Sequence, residues 1–85
     1  MTLNFKRINL GHFPTPIQFM ENITKHLNGP KIYIKRDDCT GLATGGNKTR
    51  KLEYLMPEAI KNKASLIVTI GAVQSNHARQ TAAAC

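Results

Sequence analysis

Only two cysteines occur in the chain, Cys39 and Cys85, and they form neither a CxxC pair nor any other metal-ligand spacing. No metal site is expected, and the two thiols read as free ones in a reducing compartment. Aromatic residues are also few, two tyrosines and three phenylalanines, and they do not alternate with basic residues as a base-stacking platform requires. Acidic residues are outnumbered, 5 Asp plus Glu against 12 Lys plus Arg, for a formal charge of +7. That balance permits anionic ligands, but Lys6, Arg7, Lys25, Lys31, Lys35, Arg36, Lys61 and Lys63 are scattered rather than gathered into a block. No nucleic-acid partner is expected. The longest apolar run, around Leu66 to Val73, is far too short to span a bilayer, and Met1 to Leu10 lacks the apolar centre of a signal peptide. The expectation is a cytoplasmic protein with no membrane partner. GxGxxG and GxxxxGK[ST] are both missing, as are internal repeats and low-complexity tracts.

The segments that are present alternate. Ile17 to Leu27 is expected to be a short helix after the Pro14, Thr15, Pro16 turn, stopped by Asn28, Gly29 and Pro30. Ile32 to Lys35 reads as a strand, and Arg36 to Gly46 as a polar loop leading into a second helix. Pro57 removes a backbone donor from that helix, which predicts a kink or restart near Met56. Leu66 to Ile70 has the β-branched, apolar character of a buried parallel strand, ended by Gly71. An alanine-rich helix follows, with Ser75 as its cap. The order implies an α/β domain with parallel strands and crossover helices, its two loops opening on one edge of the sheet, where ligands of open α/β sheets bind. Thr81 to Cys85 reads as helix interior without a closing signal, so residues 1–85 are expected to be the N-terminal part of a longer protein, with no second complete domain.

Two stretches carry chemistry. Leu52, Leu55, Met56, Ala59 and Ile60 share one helical face, and Lys48, four residues before Leu52, lies at its edge in the first turn, after Gly45 and Gly46. Arg50 and Tyr54 fall on the opposite, solvent side. A helix N-terminus and partial desolvation both disfavour the ammonium form, leaving an amine able to attack an aldehyde. Gly71 to His77 opens the next helix, where unpaired N–H groups favour an anion such as a carboxylate or phosphate. Plainer readings stand beside these: a snorkelling lysine, an ordinary serine cap, a turn asparagine, a surface histidine.

The segments KRDDCTGLATGGNKTRKLEYL and GAVQSNHARQTAAA together closely resemble the N-terminal region of D-cysteine desulfhydrases, L-cysteate sulfo-lyases and 1-aminocyclopropane-1-carboxylate deaminases, pyridoxal phosphate enzymes with the tryptophan synthase β-subunit fold, also called fold type II. The likeness runs from about Leu10 to Cys85. It implies that Lys48 binds pyridoxal 5'-phosphate covalently and moves the α-proton, and that Ser75 lies by the substrate carboxylate and takes part in catalysis. It further implies that Asn76 bonds the cofactor's phenolic oxygen, with amides of Ser75, Asn76 and His77 holding the carboxylate. Thr49 and Arg50 are given no catalytic part.

His77 followed by Ala78 resembles the desulfhydrase and sulfo-lyase pattern, where the deaminases usually carry glutamine. The implied activity is a lyase of amino-acid metabolism converting D-cysteine to pyruvate, hydrogen sulfide and ammonia, in a full-length homodimer acting on a small amino acid. Cysteate sulfo-lyase and cyclopropane deaminase are the alternatives, and a non-catalytic anion-binding module is the rival from another class. The phosphate-binding glycine loop, the active-site tyrosines and the group facing the pyridine nitrogen do not occur in these residues, so the 85-residue chain alone is expected to be inactive.

Overall fold

The computed structural model describes residues 4–85. Ile17–Phe19 (β1) and Tyr33–Lys35 (β2) pair antiparallel, with Ile17 opposite Lys35 and Phe19 opposite Tyr33. The ladder is extended at both ends by Met20 N–H donating to the Ile32 carbonyl and Arg36 N–H to that of Pro16. The rings of Phe19 and Tyr33 pack across it, tilted at 47° with centroids 5.2 Å apart. The helix expected from Ile17 therefore begins later, as α1 over Glu21–Leu27. The first three of its expected residues, Ile-Gln-Phe, suit a strand once a partner strand is available, and local spacing cannot reveal that partner. Asn28, in a left-handed conformation with φ 47°, closes α1.

Lys48–Lys61 (α2) runs through Pro57 as one helix, with no restart near Met56. A proline inside a helix costs about 3 kcal/mol, partly because the carbonyl four residues earlier loses its donor. Here that carbonyl belongs to Glu53, and the N–H of Ile8 takes it at 3.0 Å. The side chain of Glu53, fully buried, is satisfied by the same N-terminal segment: Leu10 and Gly11 N–H donate to one carboxylate oxygen at 2.9 and 3.2 Å, and Arg7 pairs with the other. Burying a lone carboxylate would cost several kcal/mol, so this set of donors is what makes the position tolerable. The strap over residues 7–12 is thus stitched to α2 by a glutamate and a proline.

The buried face of α2 is Thr49, Leu52, Glu53, Met56 and Pro57. The expected face is rotated from this one: Leu55 and Ile60 are exposed, and the side that packs is partly polar because its neighbours are the strap and the third helix. Asn76–Ala84 (α3) packs against α2 and against the turn Leu42–Thr44, burying Gln80 and Thr81. The segment Leu66 to Ile70 is extended but forms no ladder, and Leu66, Val68 and Ile70 are exposed. The expected buried parallel strand is not formed among the described residues, where no strand lies on either side of it to accept its backbone groups. Leu52 and Met56 are the buried hydrophobic side chains there.

Candidate active site

The approach to Lys48 is a tight turn that residues with a Cβ adopt reluctantly. Gly41 and Gly45 have φ of 88° and 85°, and Ala43 and Thr44, at 45° and 68°, share this left-handed region. A positive φ at a β-branched residue such as Thr44 is a genuine strain. Glycine at 45 is obligatory in this packing, since a Cβ there would lie 1.9 Å from the Asp38 carbonyl oxygen. A Cβ on Gly46 would meet the Gln80 amide at 2.8 Å. Asn47 then leads into α2 without a side-chain cap, and Lys48 is the helix's first residue, half-buried. Ion pairs join Arg7 to Glu53, Lys25 to Glu21, Arg36 to Asp38 and Arg50 to Asp37; Lys48 enters none of them.

Arg50 is not the free solvent residue that its helical position predicts. Its guanidinium donates to both Asp37 oxygens at 2.6 and 2.8 Å and to the Thr15 hydroxyl at 3.0 Å, while Thr15 donates to Asp37 at 2.7 Å. The Arg50 hydrogen bonds, aided by Thr15, pull the Asp37 carboxyl down to about 2. The Phe13 ring lies 4.8 Å from the same guanidinium. The first turn of α2 is in this way tied to the loop that follows β2.

At the start of α3, Ser75 caps the helix as expected, its Oγ accepting from Ala78 N–H at 3.2 Å. The Ser75 N–H itself is spent on the Ala72 carbonyl. Among the described residues only Asn76 and His77, of the three amides expected to hold an anion, keep unpaired N–H groups. Asn76 is oriented by Arg79, which donates to its Oδ1 at 2.9 Å and so leaves the Nδ2 donors for another partner. The His77 side chain turns the other way, into a cavity shared with Leu52, Met56 and Val68, its Nδ1 3.4 Å from the Thr81 hydroxyl.

The two expected loops do meet. An open depression of about 630 Å³ is lined by Arg36, Asp37, Asp38, Gly46 and Asn47 from one and by Asn76 from the other. Lys48 adjoins it in sequence through Asn47, and Ser75 through Asn76. Sequence reasoning missed the residues that hold the two loops together. Arg79 reaches back to the Ala43 carbonyl and the Thr44 hydroxyl and, at 3.2 Å, to the Gly45 carbonyl. Gln80 reaches Leu42, Gly46 and Thr49. Their only signal was polarity on an otherwise alanine-rich helix.

The family model described as pyridoxal-phosphate dependent enzyme matches residues 8–85. The chain belongs to this family. It is 54% identical to a 1-aminocyclopropane-1-carboxylate deaminase of Bradyrhizobium diazoefficiens over 85 residues, covering 98% of this chain and 25% of that protein. It is 52% identical to a D-cysteine desulfhydrase of Klebsiella pneumoniae over 79 residues, 93% of this chain and 24% of the relative. A solved structure described as an ACC deaminase homologue superposes with a TM-score of 0.81 at 51% identity, covering 87% of this chain and 22% of the other. The chain thus spans about a quarter of the length of these relatives. The cofactor of the family is pyridoxal phosphate, and the donor set fits it. Lys48 carries an amine, the group that reacts with an aldehyde, and the Asn76 side chain, held by Arg79 at its oxygen, presents amide donors suited to an oxygen acceptor.

Proposed function

We propose that the whole protein is a pyridoxal phosphate-dependent lyase that releases hydrogen sulfide from D-cysteine, and that residues 1–85 are the N-terminal part of its catalytic domain. Its fold is proposed to be that of the tryptophan synthase β-subunit, with Leu66 to Ile70 as one of the parallel strands. The observation that carries the reading is the pair of unpaired N–H groups at Asn76 and His77, in the turn next to the Ser75 hydroxyl, within a match to the family over residues 8–85.

Three donors then face one anion. The Asn76 and His77 amides bind the substrate carboxylate at the positive end of α3, and Ser75, whose oxygen already accepts from Ala78, donates its hydroxyl proton to the same group. Held there, the amino acid presents its α-hydrogen to the Lys48 amine, which removes it as general base at Nζ. Pyridoxal phosphate, when bound, supplies the electron sink for the charge left at Cα. The Cβ–S bond breaks, sulfur leaves with a proton as hydrogen sulfide, and the remaining three-carbon enamine hydrolyses to pyruvate and ammonia. D-Cysteine is preferred to the cyclopropane substrate on the resemblance at His77 and Ala78. The relative named a deaminase supports the second reading, ring opening and deamination of 1-aminocyclopropane-1-carboxylate.

Full-length protein with Lys48→Ala should lose the visible absorbance of bound cofactor and all turnover while keeping its far-UV circular dichroism. Retained absorbance and wild-type turnover would overturn the reading. Comparing hydrogen sulfide release from D-cysteine, sulfite from L-cysteate and 2-oxobutanoate from the cyclopropane substrate decides the member.

A further inference from the structure

A directed chain of hydrogen bonds runs from α3 to the turn before Lys48. Gln80 and Thr49 are both fully buried, and so is Thr40. The Gln80 Nε2 donates to the Thr49 hydroxyl at 3.1 Å and lies 3.2 and 3.3 Å from the carbonyls of Leu42 and Gly46. Thr49 and Thr40 hydroxyls are 3.1 Å apart, and Thr40 bonds the Gly46 carbonyl at 2.7 Å and accepts the Gly46 N–H at 2.9 Å. An amide nitrogen can only donate, so the proton order is fixed: Gln80 gives to Thr49, Thr49 to Thr40, Thr40 to Gly46. The cost is visible in the Gln80 Oε1, which is buried without a partner. Turning the amide over would set that oxygen against the Leu42 and Gly46 carbonyls, which can only accept, so the orphan is the lesser penalty.

We infer that Gln80, Thr49 and Thr40 are positioning residues that fix Lys48 relative to the start of α3. Thr49 follows Lys48 directly, and holding its hydroxyl fixes the rotation of the first turn of α2, hence the direction in which the lysine side chain leaves. The same Gln80 sits on the helix whose first turn carries Ser75, Asn76 and His77. One amide therefore sets the separation between the lysine and the carboxylate-binding amides. The strained Ala43 and Thr44, both clamped by Arg79 from the neighbouring position, show that this turn is held rather than relaxed. The inference rests on the proposed cofactor role of Lys48.

Thr49→Val keeps the shape and removes the hydroxyl, whereas Thr49→Ser keeps the hydroxyl. In full-length protein, the rate of cofactor loss on dilution, followed by visible absorbance, should rise about ten-fold or more in Thr49→Val and stay near wild type in Thr49→Ser, since small misplacement of a reacting group has effects of this order. Thr40→Val and Thr40→Ser should repeat the pattern, and they keep the test available if Thr49→Val fails to fold. Valine variants with wild-type release, or serine variants as impaired as valine, would overturn it. Lys48→Ala that keeps both the absorbance and wild-type turnover would instead overturn the proposed function, so the two failures are separable.

Discussion

Asp37 shows how one residue can line the site and also hold its walls together. Its carboxylate joins the loop after β2 to the first turn of α2 through Arg50, and this pairing, with the Thr15 hydroxyl, holds it at about 2 against an ordinary 3.8. A carboxyl lowered by folding stabilises the folded state fully above its unfolded value, and that contribution fades as pH falls through the folded value. The loss should therefore fall between about pH 3.8 and 2. In Asp37→Asn full-length protein, the fall of the thermal midpoint across that interval should be shallower than in wild type. Unchanged slopes would show that the Arg50 pairing contributes nothing to folding. Arg50 and Asp37 are partly exposed, so a modest effect is expected.

At the scale of elements, α2 is defined as much by what lies over it as by its own sequence. Pro57 frees the Glu53 carbonyl, and the strap fills the vacancy with the Ile8 N–H. Pro57→Ala restores a competing N–H in the helix, so the Ile8 amide should exchange with solvent several-fold faster in hydrogen–deuterium exchange, with the helix itself intact. An Ile8 amide as protected as in wild type would contradict the proposed division of labour. The same covering explains why α2 buries Thr49 and Glu53 and leaves Leu55 and Ile60 outside.

Taken whole, the chain is open. Its radius of gyration is 16.4 Å, against about 12 Å for a complete domain of this length. Leu66, Val68, Ile70 and Val73 are exposed along one unpaired segment. Fully burying one such side chain is worth about 1.5–3 kcal/mol, and a core that buries only Leu52 and Met56 among the described residues forgoes most of that gain. The isolated 85-residue chain should show no sharp thermal transition by circular dichroism and no turnover. A cooperative, concentration-independent transition would contradict this. Among the described residues, no helix is long and apolar enough to cross a membrane.

Local chemistry was sufficient for several features. Asn28 closing α1, Ser75 capping α3 and Lys48 opening α2 after two glycines could all be read from neighbouring residues, because caps and turns are set by groups a few positions apart. The meeting of the two loops was expected from a parallel sheet, but among the described residues Arg79 and Gln80 bring it about instead. Other features needed partners distant in sequence. Ile17–Phe19 became a strand because Tyr33–Lys35 lies beside it, and Arg50 became a clamp because Asp37 reaches it. The continuity of α2 through Pro57 and the burial of Gln80 against Thr49 depend on groups 30 or more residues away. The sequence by itself determined which chemical groups are available to the site, since residue type sets donor, acceptor and amine. Tertiary structure alone decided which of them are spent on one another, as Gln80 is on Thr49 and Arg50 on Asp37, because those partners meet only when the chain folds back on itself.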